Sequence, residues 1–285
     1  MYKCRLGMAV NEQFGTPLTD QMKLLRQVGF EAFFVNWKPG LDLMALRRTA
    51  DEIGLIFQSV HGPAIPHHLM SMWYESEHTR EAADLMIRCL EECAQARVPI
   101  MVCHAFCGFH MHTPTELGLQ TFGRVVAAAE RLHVKIAFEN TEGEEYLAAL
   151  LETFGRSPWV GYCWDVGHEM CYTHRDLLEE HGHLLICTHL NDNLGTRYFD
   201  GELTGADDLH LLPFDGIGDW SDITRRLTAH NFHDILTFEL KVKSHPGRFD
   251  NDPYARMALE DYFTLAYNRC CRVAALKLRA EGVIQ

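Results

Sequence analysis

The hexapeptide Thr188-His189-Leu190-Asn191-Asp192-Asn193 follows directly on an apolar run and indicates the fold class of this chain. The preceding residues 184–187 have the apolar character of a buried strand, and a long polar connection follows. Imidazoles and carboxylates at the end of a buried strand are expensive to desolvate unless they bind a partner. A divalent metal ion is a common partner for such a mixture, so the stretch predicts a metal ligand at a strand end.

Seven further apolar runs alternate with amphipathic segments along the rest of the chain. The predicted strands are Cys4–Val10, Glu31–Asn36, Leu55–His61, Pro99–His104, Val134–Glu139, Val160–Asp165, Leu184–His189 and Asp234–Glu239. The predicted helices are Pro17–Val28, Leu41–Ile53, His78–Ala96, Thr115–Leu132, Glu144–Phe154, Arg175–Glu180, Trp220–His230 and Tyr254–Arg279. Eight strand–helix pairs without a linker or repeat favour an α/β fold, a single (β/α)8 TIM barrel domain over residues 1–285. An open doubly wound sheet is the alternative, but no GxGxxG turn follows the first strand.

Six consecutive predicted strands end in a titratable residue: His61, His104, Glu139, Asp165, His189 and Glu239. Functional side chains of a TIM barrel gather at the C-terminal ends of its strands, so we predict that these six share one mouth. Strand alternation also directs inward the residues two positions earlier, which are small or medium in size: Ser59, Val102, Ala137, Cys163, Cys187 and Thr237. The same alternation sends Trp164 outward, under the helices.

Four of these strand ends form the predicted metal site: Glu139, Asp165, His189 and Glu239. Three oxygen ligands and one nitrogen suit Mn²⁺ or Mg²⁺ and tolerate Co²⁺ or Zn²⁺, and we favour Mn²⁺. The competing interpretation is a buried ion-pair network. Of the basic residues nearby in sequence, Lys135 and Lys241 could neutralise one carboxylate each, which leaves the third without a partner.

The composition restricts the partners. A net charge of −13 disfavours nucleic acid, whose phosphates need a basic surface, and it also disfavours anionic lipid. No apolar run approaches the ~20 residues that cross a membrane. Ten cysteines without a CxxC pair, several of them inside apolar runs, indicate a reduced protein, and we expect a cytoplasmic one because no signal peptide is evident. The sequence leaves open whether the chain forms a homo-oligomer.

Several strand-end motifs resemble one family. Phe138-Glu139-Asn140, Trp164-Asp165-Val166-Gly167-His168, Thr188-His189-Leu190-Asn191-Asp192 and Thr237-Phe238-Glu239 are similar to motifs of the xylose-isomerase-like TIM-barrel superfamily. The nearest resemblance is to its sugar phosphate isomerase/epimerase group, which includes ketose 3-epimerases and inosose-converting enzymes. It implies that Glu139, Asp165, His189 and Glu239 bind one divalent metal ion, that the two glutamates act as acid and base, and that His168 contacts substrate.

The same superfamily contains endonuclease IV, a metal-dependent apurinic-site nuclease. The sequence is also similar to that enzyme at five further positions, His61, His104, His168, Asp208 and His210, so a second or third metal ion stays open. The negative charge disfavours a nuclease, and the resemblance to sugar-type members, which share these histidines, implies that the five residues support the metal ligands or bind substrate. Arg197, eight residues after His189, is also predicted to bind substrate, because it could reach a substrate hydroxyl. His67, His68, Trp73 and Tyr74 follow the third strand in a predicted loop that could cover a sugar or lie on the surface.

The expected chemistry is proton transfer on a hydroxyketone or aldose, assisted by the metal as Lewis acid. One glutamate removes a carbon-bound proton to give an enediolate. Return of a proton to the opposite face of the same carbon epimerises the sugar, and return of a proton to the adjacent carbon isomerises it. Asp215 and Asp219 flank Gly216-Ile217-Gly218, which predicts a turn rather than a phosphate site and favours a non-phosphorylated sugar or polyol. A lyase acting through the same enediolate is the alternative. An apurinic-site endonuclease and a non-catalytic sugar-binding protein are less favoured.

Overall fold

The computed structural model describes residues 4–110, 113–172, 174–195 and 203–284. Eight parallel strands lie side by side in the sheet. They are β1 (Leu6–Val10), β2 (Ala32–Asn36), β3 (Ile56–His61), β4 (Ile100–His104), β5 (Lys135–Glu139), β6 (Val160–Asp165), β7 (Leu185–His189) and β8 (Leu236–Phe238). β1 pairs with both β2 and β8, and a parallel bridge between Leu190 and Phe238 joins the ends of β7 and β8. The sheet is therefore a nearly closed barrel, which confirms the predicted TIM-barrel fold.

Helices lie between consecutive strands on the outside of this barrel. They are α1 (Leu18–Val28), α2 (Leu43–Ile53), α3 (Pro66–Trp73), α4 (Thr79–Gln95), α5 (Glu116–Leu132), α6 (Glu144–Phe154), α7 (Val166–Tyr172), α8 (Leu177–His181), α9 (Trp220–Ala229) and α10 (Leu259–Ala280). Side-chain caps set several of their first residues: Thr115 accepts a hydrogen bond from the amide of Gly118, and Asp219 accepts from the amide of Asp222. The last helix begins five residues later than predicted, at Leu259.

Helices α3 and α7 are not among the predicted helices, and α3 corrects one interpretation. Leu69, Met72 and Trp73 recur at helical spacing and are fully buried, which is why the segment after β3 forms a helix rather than a loop. The indole Nε1 of Trp73 donates to the carbonyl of Ala105 at 2.7 Å. Trp73 is therefore a core residue and cannot cover a sugar.

The interior of the barrel is a small cluster of the predicted inward side chains. Val102, Ala137, Cys163 and Cys187 are fully buried in it, together with Ile100. The larger core lies between strands and helices, and it contains Trp164, whose Nε1 donates to Glu169 at 2.8 Å. The predicted outward position of Trp164 is confirmed. No helix in the described ranges has both the length and the apolar character that a membrane crossing requires.

Candidate metal centre

Four side chains from β5 to the end of β8 converge at the C-terminal mouth of the barrel. One ligand atom each from Glu139, Asp165, His189 and Glu239 lies within 4.8 Å of the other three. Glu239 comes one residue after the short strand β8, and its amide donates to Leu190 at 3.1 Å, which continues the strand direction. Glu139, Asp165 and His189 are fully buried, whereas the side chain of Glu239 is 15% exposed. We call these four side chains the quartet; they form the floor of the mouth, and Glu239 faces the opening.

Buried charges perturb the acid–base behaviour of the quartet. Burial opposes ionisation of Glu139, but the facing His189, His104 and His61 hold the pKa of that carboxyl well below its usual range. Burial opposes protonation of His189, but Glu139 and Glu239 raise the pKa of the imidazole well above its usual value. Burial raises the pKa of Asp165 to about 6, and the neighbouring carboxylate of Glu139 adds to this effect.

The quartet fits a divalent cation better than an ion-pair network. Within the described part of the chain, its only ion-pair partners are histidines, and none is a lysine or arginine. Lys135 is exposed at the first residue of β5, the opposite end of the strand from Glu139, and Lys241 lies 3.5 Å from Asp208 instead. Three converging carboxylates without a lysine or arginine partner favour a bound cation, and three oxygens with one nitrogen suit a hard or intermediate divalent ion.

Two asparagines that the sequence analysis quoted but did not assign hold Asp165 in place. Asn140 donates from Nδ2 to the Asp165 carbonyl at 2.7 Å, and its Oδ1 accepts from the Asp165 amide at 2.8 Å. Asn191 donates from Nδ2 to both carboxylate oxygens of Asp165, at 3.0 and 3.1 Å. Their signal in the sequence was position, because Asn140 directly follows Glu139 and Asn191 lies two residues after His189.

His61 and His104 form a group of three donors with Glu139. Their Nε2 atoms lie 3.2 and 3.0 Å from Oε2 of Glu139. Nδ1 of His61 lies 2.9 Å from the carbonyl of Gly62, and Nδ1 of His104 lies 3.2 Å from the sulfur of Cys107. Each ring therefore has an outer partner on Nδ1 and presents Nε2 to the centre, the orientation that metal-binding histidines usually have.

His168, Asp208 and His210 form a second group of three donors. Nδ1 of His168 donates to the Asn140 carbonyl at 2.8 Å, and Nδ1 of His210 donates to the Glu239 carbonyl at 3.1 Å. Because a carbonyl can only accept, Nδ1 of each ring carries a hydrogen. Nε2 of His168 lies 3.5 Å from Oδ2 of Asp208, and Nε2 of His210 contacts the same oxygen.

The structure thus brings together nine of the ten predicted site residues. The quartet shares Glu139 with the His61–His104 pair, and the rings of His104 and His168 are 5.9 Å apart. Arg197 lies outside the described residues, so its predicted role stays a prediction.

The turn predicted at Gly216-Ile217-Gly218 is confirmed, and its contacts explain why the carboxylate of Asp192 is buried. The amide of Gly218 donates to Oδ1 of Asp192 at 2.9 Å, and a Cβ at Gly216 would lie 2.3 Å from the same oxygen. Nε1 of Trp220 donates to Oδ2 at 3.0 Å. The carboxylate of Asp192 is therefore used to fold the turn that leads into α9, and it is not part of the quartet.

Residues 22–262 match the family described as xylose isomerase-like TIM barrel. The chain belongs to this family. A stretch of 127 residues is 38% identical to the uncharacterized protein y4fM of Sinorhizobium fredii (strain NBRC 101917 / NGR234), covering 42% of this chain and 38% of that protein. The match therefore spans less than half the length of that relative.

Solved structures of the family share the fold at low identity. The IolI protein, solved with a bound zinc atom, superposes with a TM-score of 0.73 at 16% identity, over 96% of this chain and 98% of that chain. An L-ribulose 3-epimerase superposes with a TM-score of 0.70 at 15% identity, over 99% of both chains. At such identities the likeness establishes the fold.

Proposed function

We propose that the protein is a divalent-metal-dependent isomerase or epimerase of a sugar, polyol or keto-sugar that works by proton transfer next to a carbonyl. The observation that carries this proposal is the pairing of two glutamates, Glu139 and Glu239, whose carboxylates both contact Nδ1 of His189 in one quartet. Proton transfer between the two faces of a carbon uses one group on each face of the substrate, and two carboxylates can fill these roles. The fold shared with an L-ribulose 3-epimerase supports the same reaction type.

Glu139, Asp165, His189 and Glu239 would hold the ion. A bound divalent ion would supply Lewis acidity, which polarises a substrate carbonyl and so acidifies the neighbouring carbon-bound proton. The oxygen-rich set favours Mn²⁺, and Mg²⁺, Co²⁺ or Zn²⁺ also fit it. Zinc is the ion named for the related IolI structure.

The surroundings of the two glutamates support different roles. Glu239 is partly exposed at the mouth and contacts His189 through one oxygen. Glu139 is fully buried, and both of its oxygens are contacted by imidazoles, from His189, His61 and His104. We therefore assign the first proton removal to Glu239, the carboxylate that a substrate meets on entry. Glu139 then delivers a proton to the substrate, and His61 and His104 orient the Glu139 carboxylate.

The charges at the mouth favour an uncharged substrate. Nζ of Lys241 lies 3.5 Å from Asp208, and Arg248 lies 2.8 Å from Asp207 and 3.1 Å from Asp250. Both cations thus have carboxylate partners, and a phosphate dianion would have to compete with them. Hydroxyl groups need no such neutralisation, because a hydroxyl can both donate to the carboxylate of Asp208 and accept from an imidazole N–H.

A second candidate, phosphoester hydrolysis at a multi-metal centre, is favoured by one specific observation. Two further groups of three donors, His61–His104–Glu139 and His168–Asp208–His210, lie next to the quartet. Adjacent cations that share a carboxylate can hold the attacking and leaving oxygens of a phosphoester. The net charge of −13 argues against a nucleic-acid substrate.

The test is a screen of ketoses, aldoses and inososes with the Mn²⁺-loaded protein in D₂O, followed by NMR. We expect deuterium to enter a carbon next to the carbonyl of at least one sugar. We expect that Glu139→Gln and Glu239→Gln each slow this exchange by about 10²- to 10⁴-fold, the usual contribution of a general acid or base. Glu142→Gln is the matched control, because Glu142 lies three residues after Glu139, in the loop that follows β5, and accepts from the amide of Gly108.

The same protein sample distinguishes the two candidate functions. Exchange that is as fast in both glutamine variants as in the wild type would rule out the two-glutamate mechanism. Three bound ions per chain, together with incision of abasic DNA and no deuterium incorporation, would favour the phosphoester hydrolase instead. Loss of a β-substituent along with deuterium incorporation would indicate a lyase that uses the same carboxylates.

A further inference from the structure

Two thiols lie inside the barrel directly below the quartet. Cys163 of β6 and Cys187 of β7 are Cα partners in neighbouring strands, and both are fully buried. Each comes two residues before a quartet member, Asp165 or His189, so strand alternation directs it into the barrel. Both sulfurs and one ring nitrogen of His189 lie within 4.8 Å of one another.

The imidazole of His189 is held between the carboxylates and the thiols. Its Nδ1 lies 2.6 Å from Glu139 and 3.0 Å from Glu239. Its Nε2 is buried and has no hydrogen-bond partner. The ring stacks on Phe34, with 4.4 Å between centroids and 15° between planes, which fixes the plane in which both nitrogens lie. A buried ring nitrogen without a partner is costly, and such an atom is a reason to look for a ligand.

We infer that Cys163, Cys187 and His189 form a second metal site, for a thiophilic divalent ion such as Cd²⁺ or Zn²⁺. Thiolate sulfur with one imidazole selects this class of ion over Mn²⁺ or Mg²⁺, which prefer the oxygen-rich quartet. Binding forms two metal–sulfur bonds and one metal–nitrogen bond, and it releases the two thiol protons and the Nε2 proton of His189 to solvent without any change of oxidation state. Two thiolates and a neutral imidazole cancel the charge of a divalent ion.

The surroundings suit such a neutral complex. The neighbouring inward side chains, Val102 and Ala137, are apolar and fully buried, and an uncompensated charge among them would be expensive. A metal dithiolate of zero net charge avoids that penalty. The thiol pair is also free to bind, because all ten cysteines lie in the described part of the chain and none of them forms a disulfide.

The shared histidine couples the two sites. A neutral imidazole has one ring nitrogen with a lone pair and one that carries a proton. An ion in the quartet uses the lone pair on one nitrogen, and an ion at the thiols needs it on the other. The two ions therefore compete for His189, and a thiophilic ion bound below weakens Mn²⁺ binding above.

The first experiment titrates the metal-free protein with Cd²⁺ alone and records the ultraviolet thiolate-to-cadmium charge-transfer absorption. We expect the tightest binding step to show this band. The double variant Cys163→Ser/Cys187→Ser should lose it. Its Cd²⁺ affinity at this site should fall by more than about 100-fold, because the loss of only an outer partner of a metal ligand already causes a loss of up to that size. Cys89→Ser/Cys93→Ser is the matched control, a buried thiol pair one turn apart on α4. A band that survives in the first variant, or disappears in the control, overturns the proposal.

The second experiment measures free Mn²⁺ by electron paramagnetic resonance while Cd²⁺ is added to the Mn²⁺-loaded protein. We expect Mn²⁺ release at lower Cd²⁺ concentration in the wild type than in Cys163→Ser/Cys187→Ser, because the variant lacks the lower site. Equal release from both proteins contradicts the competition. If the double variant does not fold, Cys163→Ala and Cys187→Ala singly should each reduce the charge-transfer band. Neither experiment uses a sugar, so the result is independent of the proposed reaction.

Discussion

Nδ1 of His189 lies 2.6 Å from Oε1 of Glu139, and both side chains are fully buried. This contact is a protonated imidazole facing a carboxylate, because the pKa of His189 is raised and that of Glu139 is lowered. A metal ion in the quartet takes the place of the imidazole proton. Metal binding and proton release are therefore linked at this residue pair.

The pH dependence of Mn²⁺ affinity follows from this linkage. An ion binds neutral His189, whose pKa is raised, and ionised Asp165, whose pKa is raised to about 6. As pH falls from 7 to 6 one proton must be displaced, and affinity should fall about tenfold. Below pH 6 Asp165 is also protonated, and affinity should fall about a hundredfold per unit. Isothermal titration calorimetry at several pH values measures this profile.

The control for the pH profile is Asp165→Asn, which has no carboxyl to protonate. We expect weaker Mn²⁺ binding in this variant at pH 7, without the steeper region below pH 6. An affinity for Mn²⁺ that stays constant in the wild type from pH 7 to pH 5 would contradict the placement of these two groups at the ion.

The second prediction concerns the contact between Gly167 and Asn191. A Cβ on Gly167 would lie 1.8 Å from Oδ1 of Asn191, so Gly167→Ala must displace the amide that donates to Asp165. We expect Gly167→Ala and Asn191→Ala each to weaken Mn²⁺ binding by about 10- to 100-fold, the usual effect of losing a partner of a metal ligand. The double variant should bind no more weakly than Asn191→Ala alone, because the clash is then absent. Additive losses would show that Gly167 acts through another contact.

The third prediction tests the packing of α3 against α5. A Cβ on Gly118 would lie 1.9 Å from the ring of Trp73, so Gly118→Ala should lower the free energy of unfolding by about 1–3 kcal/mol through overpacking. Gly123→Ala, in the same helix, is the control, because its Cβ would meet Phe154 at an ordinary 3.6 Å. That variant should gain about 0.5–1 kcal/mol from higher helix propensity. Urea unfolding of both proteins measures the difference, and equal free energies would contradict the packing.

The fourth prediction separates substrate binding from metal binding at His210. If one ion fills the quartet and Nε2 of His210 forms a hydrogen bond with a sugar hydroxyl, His210→Gln should raise KM about tenfold, the cost of one lost hydrogen bond to substrate. Its content of tightly bound Mn²⁺ should equal that of the wild type. His233→Gln is the control, because His233 is exposed and pairs with Glu281 at 3.2 Å. A variant that loses one bound ion would instead place a cation between His168, Asp208 and His210.

The sequence alone was sufficient to predict the barrel and the membership of the quartet. Strand periodicity and the equivalent positions of Glu139, Asp165, His189 and Glu239 at four successive strand ends carried that prediction. Both signals are local, since alternation along one strand sets which side chains face inward, and barrel closure then brings the strand ends together.

Register and contacts between distant segments were decided by the tertiary structure. A shift in pairing between Tyr162 and Cys163 sets Cys163 opposite Cys187 and Asp165 opposite His189. The burial of Trp73, the fit of Asn191 against Gly167 and the position of the thiols below His189 likewise join residues far apart in the chain. Periodicity indicates the face on which a side chain lies, but not the atom that it meets across the barrel, because that depends on packing of the whole fold.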